Sequence, residues 1–191
     1  MHFAAICPKA YSDEIMTARK GILSRWGATS IDQHSSPLDY GHYIGMFLNE
    51  GSKELIGFSE YYLYRDLEDG YGASYIQQHV DLRTIGRVKT MAHIRTIYLM
   101  PAYRRRFGDY VSLYAYTAQD AIIHGIEQTT LSTHLHDTEL QRLYVRMGGT
   151  RIATFNPPQL LDGITVYVLH LADLLSQPVA RRCMRKVGPS R

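Results

Sequence analysis

HIRTIYLMPAYRRRFGDYVSLYAYTAQDAIIHG, residues 93–125, is the stretch from which the rest of the chain is read. Residues 93–100 have strand chemistry and stop at Pro101, which has no N–H for a ladder. Phe107, Tyr110, Val111, Tyr114, Ala118, Ala121 and Ile122 then recur at i, i+3, i+4, i+7, i+11, i+14 and i+15. That is one helical stripe. Between strand and helix stand a proline, three arginines and a glycine. Such a junction makes an anion site, because the first helical turn leaves N–H groups unpaired and carries the positive end of the dipole. Gly108 allows close approach of backbone to a phosphate, and Arg104, Arg105 and Arg106 add phosphate-matching donors. The alternative reading is a solvated turn. A Walker motif is excluded, since its GK[ST] is absent.

Outward from this stretch, helical and strand patterns alternate. Residues 11–27 read as an amphipathic helix, with Ser12 as cap and Ile15, Ala18, Ile22 and Trp26 on one face. Residues 42–49 and 53–65 read as strands joined at the turn NEGSK. One face of the second carries Ile56, Phe58, Glu60, Tyr62 and Tyr64, and the other Leu55, Gly57, Ser59, Tyr61 and Leu63. Residues 66–92 show no clear period; 73–86 fit a helix or an irregular excursion. TTLSTHL (129–135) is a short β-rich run. DTELQRLYVRMGG (137–149) is a helix capped by Asp137 and ended by glycine, with Leu140, Leu143, Tyr144 and Met147 inward. TRIATF and ITVYVLHL are closing strands. Alternation of this kind implies an α/β layer with some parallel pairing.

The chain has 191 residues, 45% hydrophobic and 20% charged, as expected of one globular domain over 1–175. Residues 176–191 form a basic tail, expected to be loosely held. The net charge of +3 sets up no global field that would demand nucleic acid. Cys7 and Cys183 suggest neither a disulfide framework nor zinc spacing. No run approaches the roughly 18 apolar residues of a membrane span. A cytoplasmic setting is the expectation.

IYLMPAYRRRFGDYVSLYAYTAQDAIIHG and ELQRLYVRMGGTRIATF resemble the GCN5-related N-acyltransferase (GNAT) superfamily, over roughly residues 93–155. The first is similar to that family's fourth strand, pyrophosphate loop and following helix. The second is similar to its penultimate helix and next strand. The resemblance implies a mixed, mostly antiparallel central sheet flanked by helices. It implies transfer of an acyl group from acetyl-CoA or a longer acyl-CoA to a small-molecule amine, by direct attack, and a homodimer as family expectation. Within the loop pattern Arg105 and Gly108 match, while Tyr110 stands where glycine or alanine is usual. Its ring either crowds a pyrophosphate or points inward with the helix stripe. The implied donor-binding residues are Leu99, Met100, Arg104, Arg105, Arg106, Phe107, Gly108 and Asp109. Acyl-homoserine-lactone and long-chain N-acyl amino acid synthases resemble the same superfamily. For them the donor is acyl carrier protein, and Arg104–Arg106 with Arg181, Arg182 and Arg185 would meet its acidic surface. A non-catalytic, acyl-thioester-binding module is a third reading.

Transfer to an amine needs a base, an oxyanion donor and a proton for the leaving thiolate. Tyr144 matches the family's tyrosine near the sulfur and is the candidate acid, though its apolar stripe also suits a core residue. A backbone N–H around Leu99 and Met100 would hold the oxyanion. Glu60, a carboxylate on an otherwise apolar and aromatic face, is the candidate base, with His93 and His134 as alternatives. Tyr61, Tyr62, Tyr64, Tyr71 and Tyr75 are candidate pocket linings. In STHLHD, His134 and His136 have metal-ligand spacing, but no third ligand is legible and no metal is expected.

Overall fold

The computed structural model describes residues 2–4, 13–18, 42–49, 51–64, 74–104, 107–156 and 162–186. Its strands are β1 (His2–Ala4), β2 (His42–Leu48), β3 (Leu55–Leu63), β4 (Met91–Leu99), β5 (Gln128–His134), β6 (Thr150–Phe155) and β7 (Ile164–His170). Its helices are α1 (13–18), α2 (Ser74–His79), α3 (Phe107–Ile123), α4 (Thr138–Arg146), α5 (Leu171–Ser176) and α6 (Pro178–Lys186). One seven-stranded sheet runs in the order β1-β2-β3-β4-β5-β7-β6. Every neighbouring pair is antiparallel except β4–β5, which is parallel. The mixed, mostly antiparallel sheet is the one expected. β1, for which the sequence carries no strand signal, adds an edge to it.

Local chemistry explains most element ends. In the β2–β3 turn Asn49 N–H donates to the Glu54 carbonyl at 2.9 Å, and Lys53 takes the left-handed φ of 58°. Asp137 caps α4, its Oδ1 accepting from Leu140 N at 3.0 Å. The helix ends at Gly148, whose φ of 89° suits glycine. There Gly148 N–H donates to Val145 O and Gly149 N–H to Tyr144 O, pairing two terminal carbonyls. Of residues 66–92, without a legible period, the described part from 74 onward holds α2, two short 3₁₀ turns, Leu82–Thr84 and Val88–Thr90, and the start of β4.

α3 is packed on more than one side. Val111, Tyr114, Ala118 and Ala121 are buried as its stripe requires, but so are Ser112, Leu113, Ala115 and Thr117. Two of these extend the sheet-facing side, Leu113 against Phe47, Ile56 and Leu99 and Thr117 through its hydroxyl to Ser59 Oγ, while Ala115 belongs to a second layer with Leu171 and Leu174 of α5 and Ala180 of α6. Over its described residues the basic tail is packed rather than loose. It is helical through Lys186, with Ala180 fully buried. Ile122, assigned to the inward stripe, is instead exposed at the far end of the helix. The opposite face of the sheet is covered by α1, through Ile15 and Ala18 against Met46 and Phe58, and by Ile76 and Leu82 against Met91, Val166 and Val168. Ile22 and Trp26 lie outside the described residues. No helix among the described residues is long and apolar enough to cross a membrane.

Candidate active site

The sheet splits at its centre. β4 and β5 pair over only four positions, Met91↔Gln128 to Ile94↔Leu131. Beyond these, β4 continues on β3 and β5 continues on β7, without pairing to each other. The divergence coincides with a bulge. Glu60 pairs with Thr96 and Tyr61 with Ile94, so Arg95 is an extra residue in β4. A bulge bends its strand and increases local twist, which carries β4 away from β5. Residues 95–98 are accordingly half-buried although β4 is an internal strand.

Ladder geometry decides which backbone donors face the opening. Met100 N–H donates to Ile56 O at 2.9 Å. It is therefore spent on β3, and its expected part in holding an oxyanion is corrected. The same bond makes Gly57↔Leu99 a non-hydrogen-bonded pair, so Leu99 N–H is directed away from β3, toward the opening. Gly57 makes this close contact feasible, since a Cβ there would collide with the Tyr98 carbonyl oxygen. A second bulge, at Ile56, breaks the alternation expected along β3. Ile56 packs with Leu99 and Leu113 on the α3 side rather than with Phe58.

On the α3 face the opening is backed by tyrosines. Tyr110, Tyr114, Tyr144 and Tyr167 form a chain of edge-on rings with centroid separations of 5.3, 5.9 and 5.5 Å. They share a cluster with Ile94, Ile97 and Leu131, at the point of divergence. Tyr114 Oη donates to Tyr144 Oη at 2.9 Å, leaving the Tyr144 proton directed elsewhere. Burial raises both phenols well above their ordinary pKa and pushes Tyr110 up to about 12, so all three stay protonated. Tyr110, at the small position of the loop pattern, thus turns inward with the stripe. Tyr114, the partner of Tyr144, carries a sequence signal indistinguishable from that of a core residue, so only the fold reveals it.

On the other face a buried polar row crosses three strands. Tyr62 of β3 pairs with His93 of β4, which pairs with Thr130 of β5. Thr130 Oγ1 meets His93 Nδ1 at 2.9 Å and Tyr64 Oη at 2.6 Å. Burial pulls His93 down to about 4, away from the near-neutral value expected of it as a base. Arg95, the bulge residue, donates to Tyr62 Oη at 2.7 Å. Glu60 is fully buried one step along, opposite Thr96. Of the candidate pocket tyrosines, Tyr62 and Tyr64 are on this face, but Tyr61 is not. It faces α3, donating to Asp120 Oδ2 at 2.6 Å.

Arg104 folds back onto the end of β4. Its Nε donates to Leu99 O at 3.0 Å, its Nη2 reaches Tyr98 Oη, and its guanidinium lies 4.8 Å from the Tyr98 ring centre. It clips the strand end. Arg105, Arg106 and Tyr71 lie outside the described residues. Phe107 opens α3, and Asp109 in its first turn suits the positive end of the dipole. Cys183 of α6 lies within contact of the position a Gly108 Cβ would take, so the basic helix abuts the start of α3.

The two histidines of STHLHD do acquire a third potential ligand. β5 ends at His134, His136 is in the following turn, and Asp162 precedes β7. His136 Nδ1 meets Asp162 Oδ2 in a short contact, and the His134 and His136 rings stack at 5.3 Å. Burial, then the neighbouring His136, lowers the His134 pKa. Asp162 is 26 residues from His136, too far for any local spacing to expose it.

No protein-family model matches the chain, and no curated protein matches its sequence. Solved structures do match. FeeM, an N-acyl amino acid synthase from uncultured soil microbes, superposes with a TM-score of 0.71 at 12% identity, over 96% of this chain and 97% of that one. A Vibrio cholerae spermidine N-acetyltransferase, solved with CoA and spermine, gives 0.62 at 13% identity over 92% and 98%. A putative acetyltransferase of the GNAT family from Desulfovibrio desulfuricans gives 0.58 at 14% identity over 89% and 98%. At such identities the likeness is one of fold, and it spans nearly the whole of each chain.

Proposed function

We propose that this chain, which has the GNAT fold, is an N-acyltransferase that passes an acyl group directly from a thioester to an amine. The observation that carries the reading is the β4–β5 divergence, with Leu99 N–H directed into it and the Tyr114–Tyr144 hydroxyl pair beside it. The amine nitrogen attacks the thioester carbonyl carbon, and the π electrons move to oxygen, where Leu99 N–H donates to the oxyanion. As the oxyanion collapses, the carbon–sulfur bond breaks and the thiolate takes a proton from Tyr144. Glu60 takes the proton lost by the amine nitrogen, from a side chain one strand in from the opening. No cysteine is required, and Cys183 of α6, beside the start of α3, has no role in these steps.

The donor in this reading is an acyl-CoA. Its pyrophosphate would lie at the start of α3, against backbone N–H groups and the arginines of residues 104–106. A second reading takes the acyl group from acyl carrier protein, as in long-chain N-acyl amino acid synthesis. It is favoured by the similarity to FeeM and by the exposed Arg181 and Arg182 on a helix that abuts the same helix start.

Thermal unfolding with acetyl-CoA, a long-chain acyl-CoA and CoA separates the two. At about 100 times the dissociation constant, a ligand adds about 2.7 kcal/mol, a rise of several degrees for a chain of this size. A rise with any of the three, abolished by replacing Arg104, Arg105 and Arg106 with alanine, supports the CoA reading. No rise, together with acylation of an amine by acyl carrier protein, supports the second. Failure of both donors overturns the proposal.

A further inference from the structure

We infer that His134, His136 and Asp162 form a three-ligand site for a divalent transition ion, zinc by its chemistry, where the end of β5 lies beside the start of β7. Each offers one ligand atom, and these atoms lie within 4.8 Å of one another. In a tetrahedral site with bonds near 2.0 Å, ligand atoms stand about 3.3 Å apart, so closure asks for movements of about 1.5 Å or less. His136 is the most exposed of the three and can supply that movement by side-chain rotation.

The backbone around the cluster is held from several directions. His134 pairs with Ile164 across β5–β7, and Leu135 N–H donates to Gly163 O at 2.9 Å, which brings the segment before β7 against the turn after β5. Gln141 Nε2 donates to His134 O and Leu135 O at 3.1 and 2.8 Å. Asp162 Oδ1 accepts from Gly163 N–H at 2.8 Å while Oδ2 meets His136. Outer hydrogen bonds of this kind orient metal ligands. Two imidazoles and one carboxylate suit zinc and its neighbours and disfavour calcium and magnesium, which prefer oxygen alone. Three protein ligands leave one tetrahedral position for water or an anionic group of a bound molecule.

The test is zinc binding by the full, tag-free chain, read by competition with a zinc-chelating dye and by the visible spectrum of the Co²⁺ form. One equivalent of Zn²⁺, unaffected by excess Mg²⁺ and weakened at least about 10-fold by His136→Ala and by Asp162→Asn, is the expected result. His79→Gln, on an exposed histidine elsewhere, is expected to bind as wild type. Thermal unfolding without metal shows whether each variant folds; zinc is expected to raise the wild-type midpoint and leave that of the ligand variants unmoved. No stoichiometric binding, or equal binding by the folded ligand variants, overturns the inference and leaves a surface ion pair. These readouts need no acyl transfer, so they fail independently of the proposed activity.

Discussion

The hydroxyl of Tyr114 on α3 donates to that of Tyr144 on α4 at 2.9 Å, with the two rings edge to face. The bond orients the phenol proposed to serve the leaving thiolate, and burial keeps both groups protonated at neutral pH. Tyr144→Phe is expected to lower kcat about 100-fold, with the donor KM held within about twofold. Tyr114→Phe, which removes only the orienting donor, is expected to cost less. Steady-state kinetics decides this, and an unchanged kcat in Tyr144→Phe removes the acid role.

Glu60 is a fully buried carboxylate beside the bulge that opens the sheet. As the base, its replacement in Glu60→Gln is expected to lower kcat/KM by about 100-fold at neutral pH. The ascending limb of the pH–rate profile is expected to vanish with it. A profile of unaltered shape assigns the base elsewhere.

His93 makes a stability prediction independent of catalysis. Its folded pKa of about 4 lies below the ordinary 6.5, so the unfolded chain binds the proton more readily. Stability from this group is complete above about pH 6.5 and is lost as pH falls toward 4, by about 3 kcal/mol. Urea midpoints measured across that window are expected to fall more steeply for the wild type than for His93→Gln. Parallel declines would exonerate His93.

Gly57 stands where β3 and β4 approach too closely for a side chain. The obstacle to Gly57→Ala is the Tyr98 carbonyl, which cannot swing aside as a side-chain end can. A cost of about 1–3 kcal/mol is expected, seen as a melting point several degrees lower. An unchanged melting point would show that the strands can separate freely.

The packing of α6 on α3 predicts that the last residues are part of the domain. Truncation after Ser176 uncovers the outer side of α3, where Ala180 is buried. The melting point is expected to fall by several degrees, whereas an unaffected one would return these residues to the status of a loose tail.

Legibility followed the range of the interaction concerned. The caps of α4, the NEGSK turn and the stop at Pro101 are short-range chemistry, and they were readable because their partners lie within a few residues. The inward stripe of α4 was readable for the same reason. The stripe of α3 was readable only in part, because α5 and α6 bury a second side that periodicity against one sheet does not describe. β1 is not legible, since three residues at an edge carry too little pattern. Glu60 and Tyr144 were visible as a charge and a phenol in apolar settings, but Tyr114 and Arg95 gain their relevance only from what they touch.

What the amino-acid sequence determined by itself is the order of most elements, the inward face of several, and an α/β layer with some parallel pairing; the mostly antiparallel sheet was an expectation from the family resemblance. Burial preference is written into local hydrophobic period, so these properties need no knowledge of distant neighbours. Only the tertiary structure decided that β4 leaves β5 after Ile94, that Leu99 rather than Met100 faces the opening, and that Asp162 meets His136. Each depends on register between segments far apart in the chain. A shift of one residue in register exchanges the groups facing the opening while leaving every local pattern unchanged.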